Sequence, residues 1–283
     1  EIGSGLVGSE MCIRDSNMDY RELAGNSVSL LGYGCMRFPT NEAGEIDEPR
    51  AEKLLLRAYE QGVNYFDAAW PYHSGKSEPF VGKVLSKLGR DSFYIATKLP
   101  VWTIESLDHA KEVFNTQLEH LQTDHVDYYL LHSLDEAKWQ KVLDLGILPF
   151  LEEQQRLGRI KKLGFSFHAP YGVFKRIIDY RNWDFCQIQF NYMDTEHQAG
   201  FKGLEYAESK SVGIVVMEPV KGGTLAALPS YASDPLTAAD PGKSMASWAL
   251  RYVAGFDNVK VILSGMSNEE QLEDNLSTFS PYV

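Results

Sequence analysis

Short apolar runs alternate with longer stretches of helical periodicity along the chain from Leu30 onward. Most of the runs are continuously apolar, which is typical of strands that are covered on both faces of a sheet. Strands are predicted at Leu30–Gly34, Asn64–Asp67, Phe93–Lys98, Asp127–His132, Ile160–Ser166, Phe185–Phe190, Gly213–Glu218 and Val259–Ser264.

Helices are predicted between these strands. Pro49–Gln61 begins with a proline and is followed by Gly62, and both are preferred helix-boundary residues. Ser106–Leu121 carries a stripe of apolar residues at helical spacing. Strands that alternate with helices in this number predict an α/β fold, a closed parallel (β/α)8 TIM barrel, although the pattern alone also fits an open doubly wound sheet.

Residues 18–283 are predicted to form this single barrel, truncated at its C-terminus. Residues 1–17 lack both periodicity and the apolar core of a signal peptide. We treat them as a non-native or disordered leader, with Met18 as the natural start.

Charge and cysteine content narrow the choice of partner and location. The net charge of −12 repels phosphodiester backbones and anionic lipid, which disfavours a nucleic acid or a membrane surface as partner. Cys12, Cys35 and Cys186 are far apart, so neither a metal site nor a disulfide framework is predicted. Free thiols fit a reducing compartment, and the expected location is the cytoplasm. The oligomeric state is left open.

Titratable residues follow three successive predicted strands. Asp67 ends the second strand and Tyr72 follows it, while Lys98 ends the third strand and His132 ends the fourth. Each residue alone has an ordinary explanation, such as a helix cap, packing or a solvated charge. Because chemistry in barrels is normally located at the carboxyl ends of the strands, their joint occurrence predicts an active site.

Reduction of an aldehyde or ketone by hydride gives these residues a use. The carbonyl oxygen needs a proton donor as negative charge develops on it, and Tyr72 is predicted to be this general acid. The ammonium of Lys98 would favour the phenolate, and the carboxylate of Asp67 would keep that ammonium charged. His132 would orient the carbonyl. The segment Gly32–Arg37 lacks the third glycine of a dinucleotide-binding fingerprint, so a nicotinamide cofactor would be held in another way.

With these residues in place, the chain resembles the aldo-keto reductases over about Tyr20–Leu276. The resemblance is carried by Asn64–Tyr72, Ile95–Lys98, Tyr128–His132, Leu163–His168, Gln187–Tyr192 and Val215–Pro219. It implies an oxidoreductase on a (β/α)8 barrel, with NAD(P)H as cofactor and a small carbonyl or alcohol compound as substrate. Asp67, Tyr72, Lys98 and His132 match the catalytic tetrad of that family.

The resemblance also implies where the cofactor lies. Ser166 and Gln187 match residues that bind the nicotinamide carboxamide, although Phe167 stands where the family commonly has asparagine. Met217 takes the place of an aromatic ring against the nicotinamide, and the pyrophosphate would lie near Gly222 and Gly223. The implied cofactor-binding residues are Gly34, Met36, Ser166, Gln187, Met217, Glu218, Val220, Gly222, Ser264, Gly265, Gln271 and Asn275. Trp70, His73 and Trp102 are expected to line the substrate pocket.

The segments Tyr33–Pro39 and Pro71–Glu78 resemble one branch of the family, whose members carry an additional C-terminal iron–sulfur segment. Cluster ligation takes closely spaced cysteines, which this chain lacks, so we expect it to bind no iron–sulfur cluster. Purified protein should be colourless, and stoichiometric iron would contradict this expectation. Without the additional segment, Phe279 and Tyr282 are expected to mark apolar surface that it would have covered.

Two other functions remain open on the same barrel. One is a cofactor-sensing regulatory or binding subunit, and the other is a redox-partner module of a longer iron–sulfur protein. The cofactor preference is also open. Gly265–Gln271 contains no Lys or Arg, and Gln271 stands where the family often has an arginine for the 2′-phosphate. Glu269 and Glu270 would repel added negative charge, so we expect no strong preference for NADPH.

Overall fold

A computed structural model of the protein describes residues 17–281. Eight parallel strands close into a barrel in the order β10-β3-β4-β5-β6-β7-β8-β9. These strands are β3 (Leu31–Gly34), β4 (Tyr65–Asp67), β5 (Tyr94–Leu99), β6 (Val126–Leu134), β7 (Ile160–Phe167), β8 (Phe185–Gln189), β9 (Gly213–Met217) and β10 (Val259–Ser264). The predicted closed barrel is confirmed, and each predicted strand lies within two residues of the observed one.

Helices connect the strands around the outside of the barrel. They are α1 (Glu48–Glu60), α2 (Ser77–Leu85), α3 (Leu107–His120), α4 (Glu136–Asp144), α5 (Ile147–Arg156), α6 (Tyr171–Tyr180), α7 (Gly200–Ser209), α8 (Ser230–Ala239), α9 (Met245–Ala254) and α10 (Glu269–Thr278). Ser106 caps α3 and Asn268 caps α10, because each side chain accepts a hydrogen bond from a backbone N–H in the first turn.

A hairpin that the apolar pattern did not predict lies at the amino-terminal end of the barrel. Its strands, β1 (Tyr20–Leu23) and β2 (Asn26–Ser29), pair antiparallel. Leu23 and Val28 are fully buried against residues of the barrel interior, and Tyr128 donates a hydrogen bond to the carbonyl of Leu23 at 3.0 Å. The barrel is therefore a packed core that is covered at this end, and its opposite rim is the face available for chemistry.

The expectation for Phe279 is wrong. Its side chain is fully buried in the main core, and its carbonyl accepts a hydrogen bond from the backbone N–H of Asp19 at 3.1 Å. The segment that precedes the hairpin therefore packs against the end of α10. Tyr282 and Cys12 lie outside the described residues.

Candidate active site

The four predicted tetrad residues meet at the carboxyl-terminal rim of the barrel. Asp67 is the last residue of β4, Lys98 lies near the end of β5, and His132 lies in the last part of β6. Parallel register aligns these ends, since Asp67 pairs with Ala96 and Lys98 pairs with Leu130. Tyr72 starts the short helical turn that follows β4.

Lys98 is the centre of this group. Its side chain is fully buried, and its Nζ donates to Asp67 Oδ1 at 2.7 Å, to the carbonyl of Ala68 at 2.7 Å and to the Tyr72 hydroxyl at 3.4 Å. An ammonium can donate three hydrogen bonds, so each of its protons has an acceptor. The lysine is thereby held against the phenol oxygen.

The protonation of this buried pair follows from its surroundings. Burial alone would lower the pKa of Lys98, but Asp67 and Tyr72 outweigh burial and raise that pKa above its usual value. Burial raises the pKa of Asp67, and the ammonium of Lys98 opposes this rise. Lys98 is therefore a stable ammonium at neutral pH.

Tyr72 keeps its proton at neutral pH. Burial raises the pKa of its phenol, while the Lys98 ammonium acts in the opposite direction. Lys98 therefore lowers the pKa of the phenol, as predicted. Burial raises that pKa by more, and the extent of burial could not be predicted from the sequence. The protonated phenol can donate a proton, and the neighbouring ammonium would stabilise the phenolate left behind.

His132 lies beside the phenol as a neutral imidazole. The rings of Tyr72 and His132 meet edge to face with centroids 6.1 Å apart. Burial, with a smaller effect of the Lys98 ammonium, lowers the pKa of His132 well below its usual value. Its Nδ1 is buried without a hydrogen-bond partner among residues 17–281. A neutral ring can donate one hydrogen bond to a carbonyl without a net charge of its own.

Strained backbone flanks the site. Ser133, directly after His132, has a φ of 57°, and Glu218, directly after β9, has a φ of 58°. His73 and Ser74, directly after Tyr72, have φ values of 50° and 53°. Non-glycine residues rarely adopt this left-handed region, and such strain tends to occur where function fixes a side chain.

A cleft of about 490 Å³ opens above these residues. Its lining includes Asp67, Tyr72 and His132, together with every predicted cofactor residue except Ser166. Glycines let its walls approach each other. A Cβ on Gly265 would lie 2.7 Å from the Arg37 side chain, and one on Gly34 would lie 3.3 Å from the backbone of Ser264. Gly222 and Gly223 have positive φ values in the loop after β9, so their conformation favours glycine there.

The remaining predicted residues are not in the cleft lining. Ser166 is buried beside Gln187, with which it pairs in register, and its Oγ accepts a hydrogen bond from the backbone N–H of Ser133 at 2.6 Å. Trp70, His73 and Trp102 do not line the cleft. Trp70 stacks on His120, and Trp102 packs on His132 with ring centroids 5.0 Å apart.

His73 has a structural role of its own. Its Nε2 accepts a hydrogen bond from the backbone N–H of Phe38 at 3.1 Å, and its ring stacks on the Phe38 ring. Trp70 and His73 therefore both make packing contacts outside the cleft lining, and their place in a substrate pocket stays a prediction. Trp102 still reaches the site through His132.

Arg37 and His168 are among the cleft residues that were not predicted from the sequence. Arg37 lies in the loop after β3, and it is the only Lys or Arg in the cleft lining formed by the described residues. His168 lies directly after β7 and also lines the cleft. Arg37 is the last residue of Gly32–Arg37, the segment that was compared with the dinucleotide-binding fingerprint. It also directly follows Met36, a predicted cofactor residue, and this position could have indicated that Arg37 lines the cleft.

Residues 17–281 contain no group of three or more His, Cys, Asp or Glu side chains placed to hold a metal ion. The same part of the chain contains no helix that is both long and apolar enough to cross a bilayer.

The chain is similar to known proteins in both sequence and structure. The model of the aldo/keto reductase family matches residues 30–281. The chain is 28% identical to the uncharacterized oxidoreductase YqkF of Bacillus subtilis, with 88% of this chain and 86% of YqkF covered. It is 26% identical to L-galactose dehydrogenase of Arabidopsis thaliana, with 89% and 85% covered. The structure of aldo-keto reductase AKR11C1 from Bacillus halodurans, in its holo form, aligns with a TM-score of 0.77 and 28% identity, covering 93% and 91% of the two chains.

Proposed function

The chain belongs to the aldo/keto reductase family, and we propose that it reduces an aldehyde or ketone with NAD(P)H, with Tyr72 as the general acid. The observation that carries this proposal is the contact of a fully buried Lys98 ammonium with both Asp67 and the Tyr72 hydroxyl at the floor of the cleft. The same site would oxidise the corresponding alcohol in reverse.

The residues present fit a nicotinamide cofactor. Gln187 is buried in the cleft lining, and its Oε1 has no hydrogen-bond partner among the described residues, so a ligand donor would satisfy it. Gly34 and Gly265 leave room for a backbone-lined channel, and Arg37 supplies positive charge beside it. When bound, the cofactor supplies the hydride that is added to the carbonyl carbon.

The protein's own residues handle the carbonyl oxygen. The hydroxyl of Tyr72 and the ring of His132 face the same cleft, so both can donate to one oxygen. As hydride adds to the carbon, the oxygen takes the proton from Tyr72 and the product is the alcohol. The resulting phenolate is stabilised by Lys98 and recovers its proton from water.

The test is turnover with a panel of small aldehydes and ketones. Loss of the absorbance band of reduced nicotinamide should depend on both protein and carbonyl compound. Both NADH and NADPH belong in the panel. A protein that binds the cofactor but consumes none with any carbonyl compound would contradict the proposal, and this outcome would favour a cofactor-sensing role.

Arg37→Ala should weaken binding of NADH and NADPH alike. A charge-assisted hydrogen bond to a phosphate contributes about 1.5–3 kcal/mol, which predicts a rise in Kd of roughly 10- to 100-fold for each cofactor. The reason is that both cofactors share the pyrophosphate, and Arg37 is the cation of the cleft lining. Calorimetric titration measures this directly.

Arg50→Ala is the matched control, because Arg50 lies on the exposed face of α1. A loss confined to NADPH would show that Arg37 binds the 2′-phosphate instead. The wild-type titrations also test the cofactor preference. With Gln271 bonded to the backbone of Ser267 and no cation in Gly265–Gln271, we expect similar Kd values for NADH and NADPH.

A further inference from the structure

A directed chain of hydrogen bonds leads from a loop ion pair to His168 at the edge of the cleft. Lys221 donates to the carboxylate of Asp194, and Gln189 Nε2 donates to Asp194 Oδ2 at 3.2 Å. Gln198 Nε2 donates to Gln189 Oε1 at 3.2 Å, and Gln198 Oε1 lies 3.1 Å from His168 Nδ1.

The carboxylate fixes the direction of this chain. The hydrogen bond from Lys221 lowers the pKa of Asp194, and the amides of Asn191 and Gln189 reinforce this effect against burial, so Asp194 is ionised and only accepts. Gln189 must therefore turn its amide nitrogen toward Asp194 and its oxygen toward Gln198. Gln198 must in turn present its oxygen to His168.

The consequence is a defined tautomer of His168. Its Nδ1 carries the hydrogen that is donated to Gln198 Oε1, and partial burial lowers the pKa of the ring so that it is neutral at neutral pH. Its Nε2 is then a bare acceptor. Gln198 holds this arrangement from a left-handed backbone conformation with a φ of 58°, which indicates a constrained position.

His168 is shared by two cavities. Gln198 lines a neighbouring cavity of about 540 Å³ and does not line the cleft, whereas His168 lines both. Because Nδ1 is bonded to Gln198, Nε2 is the ring nitrogen left for a ligand in the cleft. Strand register pairs Ser166 with Gln187, so His168 directly follows β7 beside the strand that carries Gln187.

Gln187 provides a second acceptor in the same lining. Its Nε2 contacts the thioether of Met217 at 3.4 Å, and its Oε1 is buried without a partner among residues 17–281. A substrate carbonyl has no hydrogen to offer these two acceptors. A primary amide has two N–H donors on one nitrogen, so it complements them.

We propose that His168 binds the carboxamide NH2 of the nicotinamide cofactor through Nε2, together with Gln187 Oε1, and so acts as a positioning residue for the ring. This inference rests on the proposed use of NAD(P)H. The side chain of the neighbouring Phe167 offers no acceptor to the cleft, because it packs into the core against Phe174.

The test compares two cofactors that differ in this one group. Calorimetric Kd values are measured for NAD(P)⁺ and for its 3-acetylpyridine analogue, in which a methyl group replaces NH2. His168→Ala should weaken binding of the amide cofactor by about three- to tenfold, the effect of one hydrogen bond, and should change binding of the analogue by less than about twofold. His168→Gln, which keeps an acceptor oxygen, should restore most of the difference.

The controls separate the other outcomes. His197→Ala lies in the neighbouring cavity but outside the cleft lining, and it should change neither Kd. Gln198→Leu, which releases the tautomer without altering the cleft, should reproduce part of the His168→Ala effect and serves if that variant does not fold. Equal weakening of both cofactors, or of neither, would overturn the assignment.

Two further results are informative. If His168→Ala raises KM for glycolaldehyde but not for propanal and leaves both Kd values unchanged, the acceptor serves a substrate hydroxyl and the proposal is wrong. If the wild-type protein binds neither cofactor, the proposed function itself fails, which is distinct from a wild type that binds both but shows no dependence on His168.

Discussion

Tyr72→Phe should reduce kcat for carbonyl reduction by about 10²- to 10⁴-fold, the range that general-acid catalysis contributes. The substitution removes one hydroxyl, to which Lys98 Nζ donates at 3.4 Å, and it leaves the ring that packs against His132. Cofactor Kd should therefore stay within about twofold of wild type, because no lost atom is expected to contact the cofactor. Steady-state kinetics and calorimetry on the same preparation measure both quantities.

Tyr231→Phe is the matched control for this variant, since Tyr231 is 84% exposed and lies on α8 away from the cleft. It should retain wild-type turnover. Substantial turnover by Tyr72→Phe under the same conditions would show that the proton comes from another group, such as His132 or water.

Lys98→Met should lower both stability and activity. It leaves the buried carboxylate of Asp67 without its cation, and the loss of one partner of a buried ion pair typically costs about 3–5 kcal/mol in the free energy of unfolding. Activity falls as well, because the phenolate of Tyr72 loses the charge that stabilises it, and each unit of phenol pKa corresponds to about 1.4 kcal/mol. Denaturant titration and kcat give the two values.

A second substitution separates these two effects. In Lys98→Met/Asp67→Leu, an apolar pair replaces the ion pair, so much of the stability should return while the activity stays low. Lys87→Met is the control, because the Lys87–Glu52 pair is exposed and such pairs contribute about 0–1 kcal/mol. A fully active Lys98→Met enzyme would contradict the role given to the ammonium.

The sequence was most informative where local chemistry and burial coincide. Strands buried on both faces read as apolar runs, and the residue at the end of such a run lies at the rim, which is why Asp67, Lys98 and His132 were predicted in the right places. The structure brings these residues together with Tyr72. Their catalytic role stays a prediction until variants are measured.

Contacts between residues that are far apart in the sequence could not be predicted from the pattern of apolar runs. The hairpin formed by β1 and β2 has short strands rich in polar residues, and its buried side chains Leu23 and Val28 gain their partners only from the closed barrel. Trp70 resembled a pocket residue because it adjoins the tetrad in sequence, but its partner His120 lies at the end of α3. A ring near a catalytic residue in sequence need not face the same cavity.

The hydrogen bonds of His168 likewise could not be predicted from positions along the chain. A cofactor contact was expected of Ser166, two residues earlier, yet its Oγ accepts a hydrogen bond from the backbone of Ser133. The chain of hydrogen bonds through Gln198, Gln189 and Asp194 joins residues from two loops and a strand end. Spacing along the chain did not indicate that these amides form a directed chain.

Hydride transfer to a carbonyl is tested most directly by following an isotopic label from the cofactor to the product. Reduced cofactor that carries deuterium in both C4 positions is incubated with the protein and an aldehyde that it turns over, and the alcohol is analysed by mass spectrometry and NMR. We expect one deuterium on the former carbonyl carbon of the alcohol. Cofactor oxidation that yields no labelled alcohol would contradict hydride transfer to a carbonyl at this site.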